Sequence, residues 1–472
     1  MANTRTLVWF RDDLRVADNP ALFHAREQGD VVGVFLVADQ QWLAHHVGES
    51  RRAFLDATLA ALSKAMAELN IPLIVETAPR FADAPEILVR LAQALSAQAL
   101  TFNEQFPLNE RVRDSKVLRA CEAAGIRVQQ FQSGTLMPVG SVLTQNATPY
   151  TVFSAFKRRW LATIEPSAWT PLPAPAAQRP LTLEIPSGSQ PPEREPDNSK
   201  DAGEAAAEQR LQHFLDGHIQ RYDELRDRPA VDGTSRLSAH LSVGSISARQ
   251  CLTAAMLAGS PSAQTRPRPA GNDPGIDSWI NELIWRDFYR HIIALFPHIS
   301  RGEAFRRETD NIPWRTAEAD LAAWKAGQTG YPLVDAAMRQ LNATGWMHNR
   351  LRMVSAMFLS KHLLLDWRLG ERYFMKQLTD GDFAANNGGW QWSSSTGTDA
   401  APYFRIFNPA TQGERFDPDA SFVKQYLPEL AHLSAKQIFR EPSSKAPDYP
   451  EPIVEHRFAR ERALTTFKRL RG

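Results

Sequence analysis

The chain has 472 residues, a net charge of +1, and 43% hydrophobic and 23% charged residues, the composition of a globular protein of about two or three domains. So small a net charge gives bulk electrostatics no part in nucleic-acid binding, and any such surface must be a local patch. Two cysteines, Cys121 and Cys251, exclude a disulfide framework, the opening MANTRTLVWFRDDLR lacks a signal-peptide core, and no apolar run reaches the roughly 18 residues of a membrane span. The expectation is a cytoplasmic protein without membrane contact.

Over the first 135 residues, short apolar runs alternate with amphipathic stretches, the pattern of a doubly wound parallel sheet. Strands are predicted at Thr6–Phe10, Val31–Val37, Leu73–Glu76, Ala99–Asn103 and Arg127–Phe131. Helices are predicted at Arg51–Leu69, Ala84–Ala97 and Leu108–Ala124, the last stopped by Gly125. No GxGxxG follows the first strand, so the sheet is expected to be Rossmann-like in shape only. From Ser167 to Lys200 the chain turns rich in Pro, Ser and Glu and reads as an extended linker; a similar run at 259–275 reads as a surface loop. Helical periodicity dominates from residue 205 onward. A helix over Trp279–Phe296 ends at Pro297, Gly345 closes another, and Met347–Leu365 forms the next. The predicted fold is α/β plus all-α: an α/β domain at 1–135, a linker at 136–204 and a helical domain at 205–472.

Tryptophan is concentrated in the second half, with eight of the twelve after residue 270. A Trp-rich core explains most of them, but their clustering with Arg, Asn and Asp asks for more. In SWINELIWRDFYRH, Trp279, Glu282 and Arg286 share a helical face, with Trp285 and Tyr289 beside them. A Glu–Arg pair at i,i+4 is usually a solvated salt bridge, but amid these aromatics it suggests a polar cluster facing a cavity. GWMHNRLRM puts Asn349, Arg352 and Met353 on one face, suited to a phosphate or a planar heterocycle, although an Arg packed on an acidic neighbour gives the same pattern.

The densest signal is TDGDFAANNGGWQWSSSTGTDAAPYFRIFNP, with Asp380, Asp382, Asn386, Trp390 and Trp392 among small residues, as where backbone closely approaches a flat ligand. Without HExxH, an EF-hand loop or a third clustered acid, its paired carboxylates are not read as a metal site. GTSRLS at 233–238 could cradle a pyrophosphate, but taken alone this turn reads more readily as an ordinary helix cap.

Taken together, these segments resemble the DNA photolyase/cryptochrome family, most closely the bacterial class I cyclobutane pyrimidine dimer (deoxyribodipyrimidine) photolyases. The likeness runs through LVWFRDDLRVADNPAL, NER at 109–111, DGTSRLS, NELIWRDFYRH, TGYPLVDAAMRQLNATGWMHNRLRMV, the stretch just quoted and TQGERF. It implies an α/β domain joined by a long linker to a helical domain that binds FAD. The implied flavin contacts are Tyr222, Thr234, Ser235, Arg236, Leu237, Ser238, Trp279, Glu282, Arg286, Asn349, Arg352, Asp380, Asp382 and Asn386. Of these, Thr234–Ser238 would meet the diphosphate, and Asn386 the ring nitrogen that tunes the redox state.

The implied activity is that of a carbon–carbon lyase: excited FADH⁻ gives an electron to a flipped-out dimer in UV-damaged DNA, duplex or single-stranded, and splits it into two pyrimidines. Trp285 and Trp392 would stack on the bases, and Glu282, Asn349 and Met353 would line the cavity. Arg286, Tyr289, Arg350 and Gln412 would join them in contacting DNA. Trp390, Trp367 and Trp314 match a chain that carries an electron inward to FAD. Asn109 and Glu110 match positions that bind an antenna, 5,10-methenyltetrahydrofolate, with a deazaflavin as the alternative pigment.

The family implies a monomer without metal. The rival reading is a cryptochrome-type blue-light photoreceptor, but such proteins usually carry a C-terminal extension, and many replace the residue matching Asn386. Repair of the (6-4) lesion goes with a pair of histidines where this chain has Asn349 and Met353.

Overall fold

The computed structural model describes residues 4–183, 201–259 and 273–470; the runs 184–200 and 260–272, which hold part of the expected linker and most of the expected loop, lie outside the described residues. The chain packs as two compact units, one drawn from Met1–Gln220 and Ser235–Ser300, the other from Arg221–Thr234 and Arg301–Gly472.

In the first unit, β1 (Thr4–Phe10), β2 (Gly29–Val37), β3 (Leu73–Thr77), β4 (Ala99–Asn103) and β5 (Arg127–Phe131) form one sheet in the order β3-β2-β1-β4-β5, every pair parallel. Both faces of the central strands are covered, which is why LVWF and VVGVFLV are continuous apolar runs. With the two-residue period, Leu7, Trp9, Val32 and Val34 join one core, and Val8, Phe10, Val31 and Phe35 join the other. The helices α1 (Pro20–Gln28) and α3 (Glu49–Glu68) supply Leu22, Leu55, Leu59 and Leu62 to the second core. To the first, α4 (Ala84–Ala94) and α5 (Leu108–Ala123) bring Leu88, Leu91 and Val117. A short helix, α2 (Asp39–Ala44), precedes α3. As expected, Gly125 follows α5, at φ +73°.

Three further helices complete what matters here in this unit: α6 (Phe153–Thr163), α7 (Ser238–Val243) and α8 (Pro274–Leu295). The last starts on an Asp273 side chain that accepts from the Ile276 amide, with Pro274 in the first turn. Asp287 of α8 is wholly buried. Its carboxylate accepts from the backbone amides of Leu136 and Met137 and from Trp160 Nε1, at 3.0–3.1 Å. One side chain thereby ties α8 to α6 and to the loop after β5.

The second unit is helical; among the described residues no strand follows β5. Its α9 (Pro332–Thr344) ends at Gly345, φ +67°, as the sequence led us to expect. The helix expected over Met347–Leu365 is divided. His348 caps α10 (Asn349–Met357) by accepting from the Arg350 amide, and the chain then widens into a π-helical turn at Phe358–His362. Lys361 lies in this turn, buried, with Nζ donating to the Arg405 carbonyl at 2.8 Å, and burial lowers its ammonium to about 7. The next helices are α11 (Trp367–Gln377) and α12 (Phe383–Ser394), which cross with Gly370 against the Trp390 ring. A Cβ at Gly370 would collide with that indole. Gly370→Ala is therefore expected to destabilise this unit by about 1–3 kcal/mol, seen as a lower urea midpoint and a changed Trp emission.

Candidate functional site

The second unit gathers the residues of the Trp–Asn–Asp stretch on neighbouring helices. Asp382 caps α12, accepting from the Ala385 amide at 2.9 Å, and so fixes the helix start just after Asp380. Asp380 is buried and accepts from Arg352 Nη2 at 2.8 Å through Oδ2; its Oδ1 is equally buried and has no hydrogen-bond partner. Arg352 is held from behind by Nε donating to the Met347 carbonyl at 2.8 Å. A buried carboxylate oxygen with no donor is costly, so this one is an acceptor set for a ligand N–H or O–H. On the same helix, Asn386 donates from Nδ2 to the Glu371 carbonyl at 3.0 Å, which fixes its amide plane. Asn349 is exposed at the first turn of α10, and Met353 and Trp392 are half-buried.

Two expected contacts have partners within this unit. Arg350 makes a two-pronged pair with Asp227, at 3.2 and 2.6 Å, and its guanidinium lies 4.4 Å from the centre of the Phe416 ring. A DNA phosphate would have to compete with that carboxylate. Gln412 has a buried Oε1 without a donor. Tyr222 is buried, with the Arg226 guanidinium 5.3 Å from its ring.

The three expected electron-carrying tryptophans all lie in this unit. Trp390 and Trp367 are buried, Trp314 is half-buried, and the indole nitrogens of Trp390 and Trp314 are buried without a partner. The aromatic neighbours of Trp390 are Phe374, at 4.9 Å between ring centres, and Trp324, at 6.0 Å. Trp324, buried and unnoticed in the sequence, is thus in ring contact with Trp390. Also passed over was Glu371, whose carboxyl accepts from Asn387 at 3.4 Å and is pushed up to about 7 by burial.

The first unit carries the other expected residues on α8. Trp279 is buried against Phe214, with ring centres 5.3 Å apart. Arg286 donates to the carbonyls of Gly134 and Leu241, at 2.8 and 3.3 Å. Trp285 is half-buried, and one face is stacked on Phe153 of α6, with ring centres 3.6 Å apart and planes 8° from parallel; Tyr289 tilts against it at 5.4 Å. Phe153 thus holds the indole flat from behind, a support that only an aromatic at the head of α6 could have hinted at. Glu282 is half-buried one turn before Trp285. In the run Thr234–Ser238, Arg236 takes φ +50°, Leu237 is buried in the core, and Ser238 opens α7, so Leu237 can offer a ligand only its backbone.

The crevice where strand order reverses, at the carboxyl ends of β1 and β4, is the usual nucleotide site of such sheets. Here it is filled. Arg11 lies 4.4 Å from the centres of both the Trp9 and Phe102 rings and donates to Asp114 at 2.9 Å. Arg113 lies between Trp9 and Phe81, 4.6 Å from each. Beside this plug, Asn109 Nδ2 and Gln41 Nε2 both stand 2.9 Å from His45 Nε2, and Glu110 Oε1 is 3.9 Å from His45 Nδ1. Among the described residues no group of three metal-binding side chains occurs, and no helix is long and apolar enough to cross a membrane.

Residues 279–469 match the family model described as the FAD binding domain of DNA photolyase, and residues 6–176 match the one described as DNA photolyase. A deoxyribodipyrimidine photo-lyase of Escherichia coli K12 is 44% identical, covering 99% of this chain and 99% of its own. Its counterpart in Salmonella typhimurium LT2 is 44% identical over 98% of each chain. Among solved structures, a bacterial class III photolyase from Agrobacterium tumefaciens is similar with a TM-score of 0.87 at 33% identity, covering 100% of this chain and 98% of that one.

Proposed function

The chain belongs to the DNA photolyase family, and from that premise we propose that it repairs cyclobutane pyrimidine dimers in UV-damaged DNA under blue light. Bound FAD, in its reduced form, would supply the chemistry, a transferable electron for opening the cyclobutane ring, and this chain's residues would hold and orient it. The observation that carries the reading is the half-satisfied Asp380. Arg352 fills one oxygen, and the other is buried and waiting for a donor of the kind a ribityl or ring edge presents. The residues fit the cofactor.

In this reading Asp380 and Arg352 hold the flavin, with Asn349 and Asn386 toward its ring and Thr234–Ser238 and Tyr222 toward the diphosphate and adenosine. Asp382 holds α12 in place; Trp279, Glu282 and Arg286 are the flavin contacts that the family resemblance assigns to α8 of the first unit. With its Nδ2 given to the Glu371 carbonyl, the Asn386 amide keeps its oxygen for the ring edge. Trp285, backed by Phe153, presents one flat apolar face to a flipped-out base, and Trp392 presents a second. Glu282 on α8, and Asn349 and Met353 on α10, are the polar and shape-fitting contacts of the dimer in this reading. Arg286, Tyr289, Arg350 and Gln412 serve the DNA strand, and Trp314, Trp367 and Trp390 relay an electron inward. No protein nucleophile is required, since the cofactor would carry the chemistry while these groups bind, orient or relay an electron.

The antenna in this reading is 5,10-methenyltetrahydrofolate at Asn109 and Glu110, supported by the filled crevice at β1 and β4, which leaves the rim as the place for a pigment.

Discrimination between damaged and undamaged duplex tests the reading. Trp285→Ala is expected to weaken binding to dimer-containing DNA by about 1–3 kcal/mol, roughly 5- to 150-fold, and to leave undamaged DNA nearly unaffected. Equal losses on both would sink the stacking role. Because the overall charge is close to zero, binding should rest on local phosphate contacts. Affinity for damaged duplex is expected to fall at least about tenfold between 50 and 200 mM salt, read by fluorescence anisotropy.

A further inference from the structure

A cation stands over the middle tryptophan of the expected relay. The guanidinium carbon of Arg368 is 4.8 Å from the centre of the Trp367 ring, and Trp367 itself is buried. Arg368 is held from several sides. Its amide donates to Asp366 Oδ1 at 3.0 Å, the contact that caps α11, and Nη1 donates to the same carboxylate at 3.2 Å. Nε donates to the Gly302 carbonyl at 2.5 Å, and Nη2 donates to Asp310. Arg307, in the turn Arg307–Asn311, pairs with Asp310 at 3.3 Å and with Glu303. Trp367 is also the first residue of α11, so the positive end of an eleven-residue helix adds to the guanidinium's field. The other two members of the relay sit differently. Trp390 has the rings of Phe374 and Trp324 beside it, and Trp314 is half-buried against Phe467, with ring centres 6.3 Å apart.

Resting on the relay reading above, we propose that Arg368 is a positioning residue that makes the relay one-way. It raises the cost of oxidising Trp367, so that a hole arriving there moves on to Trp314 and does not settle where it can return to the flavin. Over a neutral indole a guanidinium is attracted to the electron-rich face; once the ring has lost an electron, the same geometry is repulsive. The Arg368 side chain is 22% exposed, so water screens this repulsion only in part. Asp366 and Asp310 fix the guanidinium and offset part of its field, which keeps Trp367 open to Trp390. At half-buried Trp314 water solvates the positive charge and makes it the resting place. The electrons balance: one passes from Trp314 through Trp367 and Trp390 to light-excited, oxidised FAD. A thiolate in solution then refills Trp314 and leaves as a thiyl radical.

The test is flash absorption spectroscopy of the full chain loaded with oxidised FAD, with dithiothreitol as the thiol, following the tryptophan radical. Arg368→Gln removes the cation and leaves its two carboxylates beside Trp367, which then holds the hole. The long-lived radical formed per flash is expected to fall about three- to tenfold, and flavin photoreduction with it. Arg368→Lys keeps the charge and is expected to stay within about twofold of the unaltered chain. FAD content and the urea midpoint check the fold of each variant. Should the stranded carboxylates unfold Arg368→Gln, the double variant Arg368→Gln/Asp310→Asn removes the cation without stranding Asp310, and a lower yield is expected there too. An unchanged or higher yield in a folded, FAD-bearing variant without the cation would overturn the proposal. An equal loss in Arg368→Lys would overturn it as well, by placing the effect on ring packing and not on charge. Trp367→Phe tests the relay separately: photoreduction as efficient as in the unaltered chain would end the relay reading itself.

Discussion

Replacing Asp287 with alanine is expected to destabilise the unit that carries it by roughly 3–6 kcal/mol. The carboxylate is wholly buried and satisfies three donors at once, the amides of Leu136 and Met137 and the Trp160 indole. Truncation strands all three without water to replace the oxygens, at about 1–3 kcal/mol for each stranded group. Asp287→Asn, which keeps one acceptor oxygen, is expected to recover about half of the loss. Urea unfolding followed by Trp emission measures both variants, because Trp160 is one of the partners. If the two variants were equally mild, the tie between α8, α6 and the loop after β5 would carry little of the stability. The consequence reaches function, since α8 also places Glu282, Trp285 and Arg286.

At Asp380 the expected result is loss of flavin from a folded protein. Asp380→Asn keeps the shape of the side chain but exchanges a charged acceptor for a neutral amide opposite Arg352, and turns one oxygen into a donor. A hydrogen bond to a charged group is worth about 1.5–3 kcal/mol, so FAD affinity is expected to fall by about 10- to 100-fold, with repair lost in proportion to the flavin lost. Equilibrium dialysis of FAD against the apoprotein reads the first quantity, and the circular dichroism of the apoprotein checks the fold. Arg352→Lys is expected to weaken binding less, because an ammonium still faces Oδ2 but loses the backbone hold on Met347. Unaltered FAD affinity in Asp380→Asn would remove the observation on which the cofactor site rests.

The inner strands of the sheet were legible because they are buried on both sides, so runs such as LVWF and ALTFN name themselves; Ala99–Asn103 falls where expected, as does the largely exposed edge strand Arg127–Phe131. Pro20–Gln28 was not foreseen, being short and continuous with the charged turn before it. The helix expected over Met347–Leu365 hides a π-helical turn, since a widened turn keeps the apolar face that periodicity detects.

At the site, residue types were readable and partnerships were not. Asp380 and Arg352 stood out as a carboxylate and a guanidinium, but nothing in a spacing of 28 residues says that they meet. Phe153 behind Trp285, Trp324 against Trp390 and His45 beside Glu110 come from distant parts of the chain and only packing brings them together. Asp287 lay in plain sight within NELIWRDFYRH, where a mid-helix aspartate looks solvated until its three donors are known.

The most direct test of the central claim is repair itself. Purified protein with FAD fully reduced is given a duplex carrying one thymine dimer, and samples are kept in blue light and in darkness. Restoration of both thymines in light and none in the dark is the result this account requires. No repair in light, with the flavin bound and reduced, would contradict it.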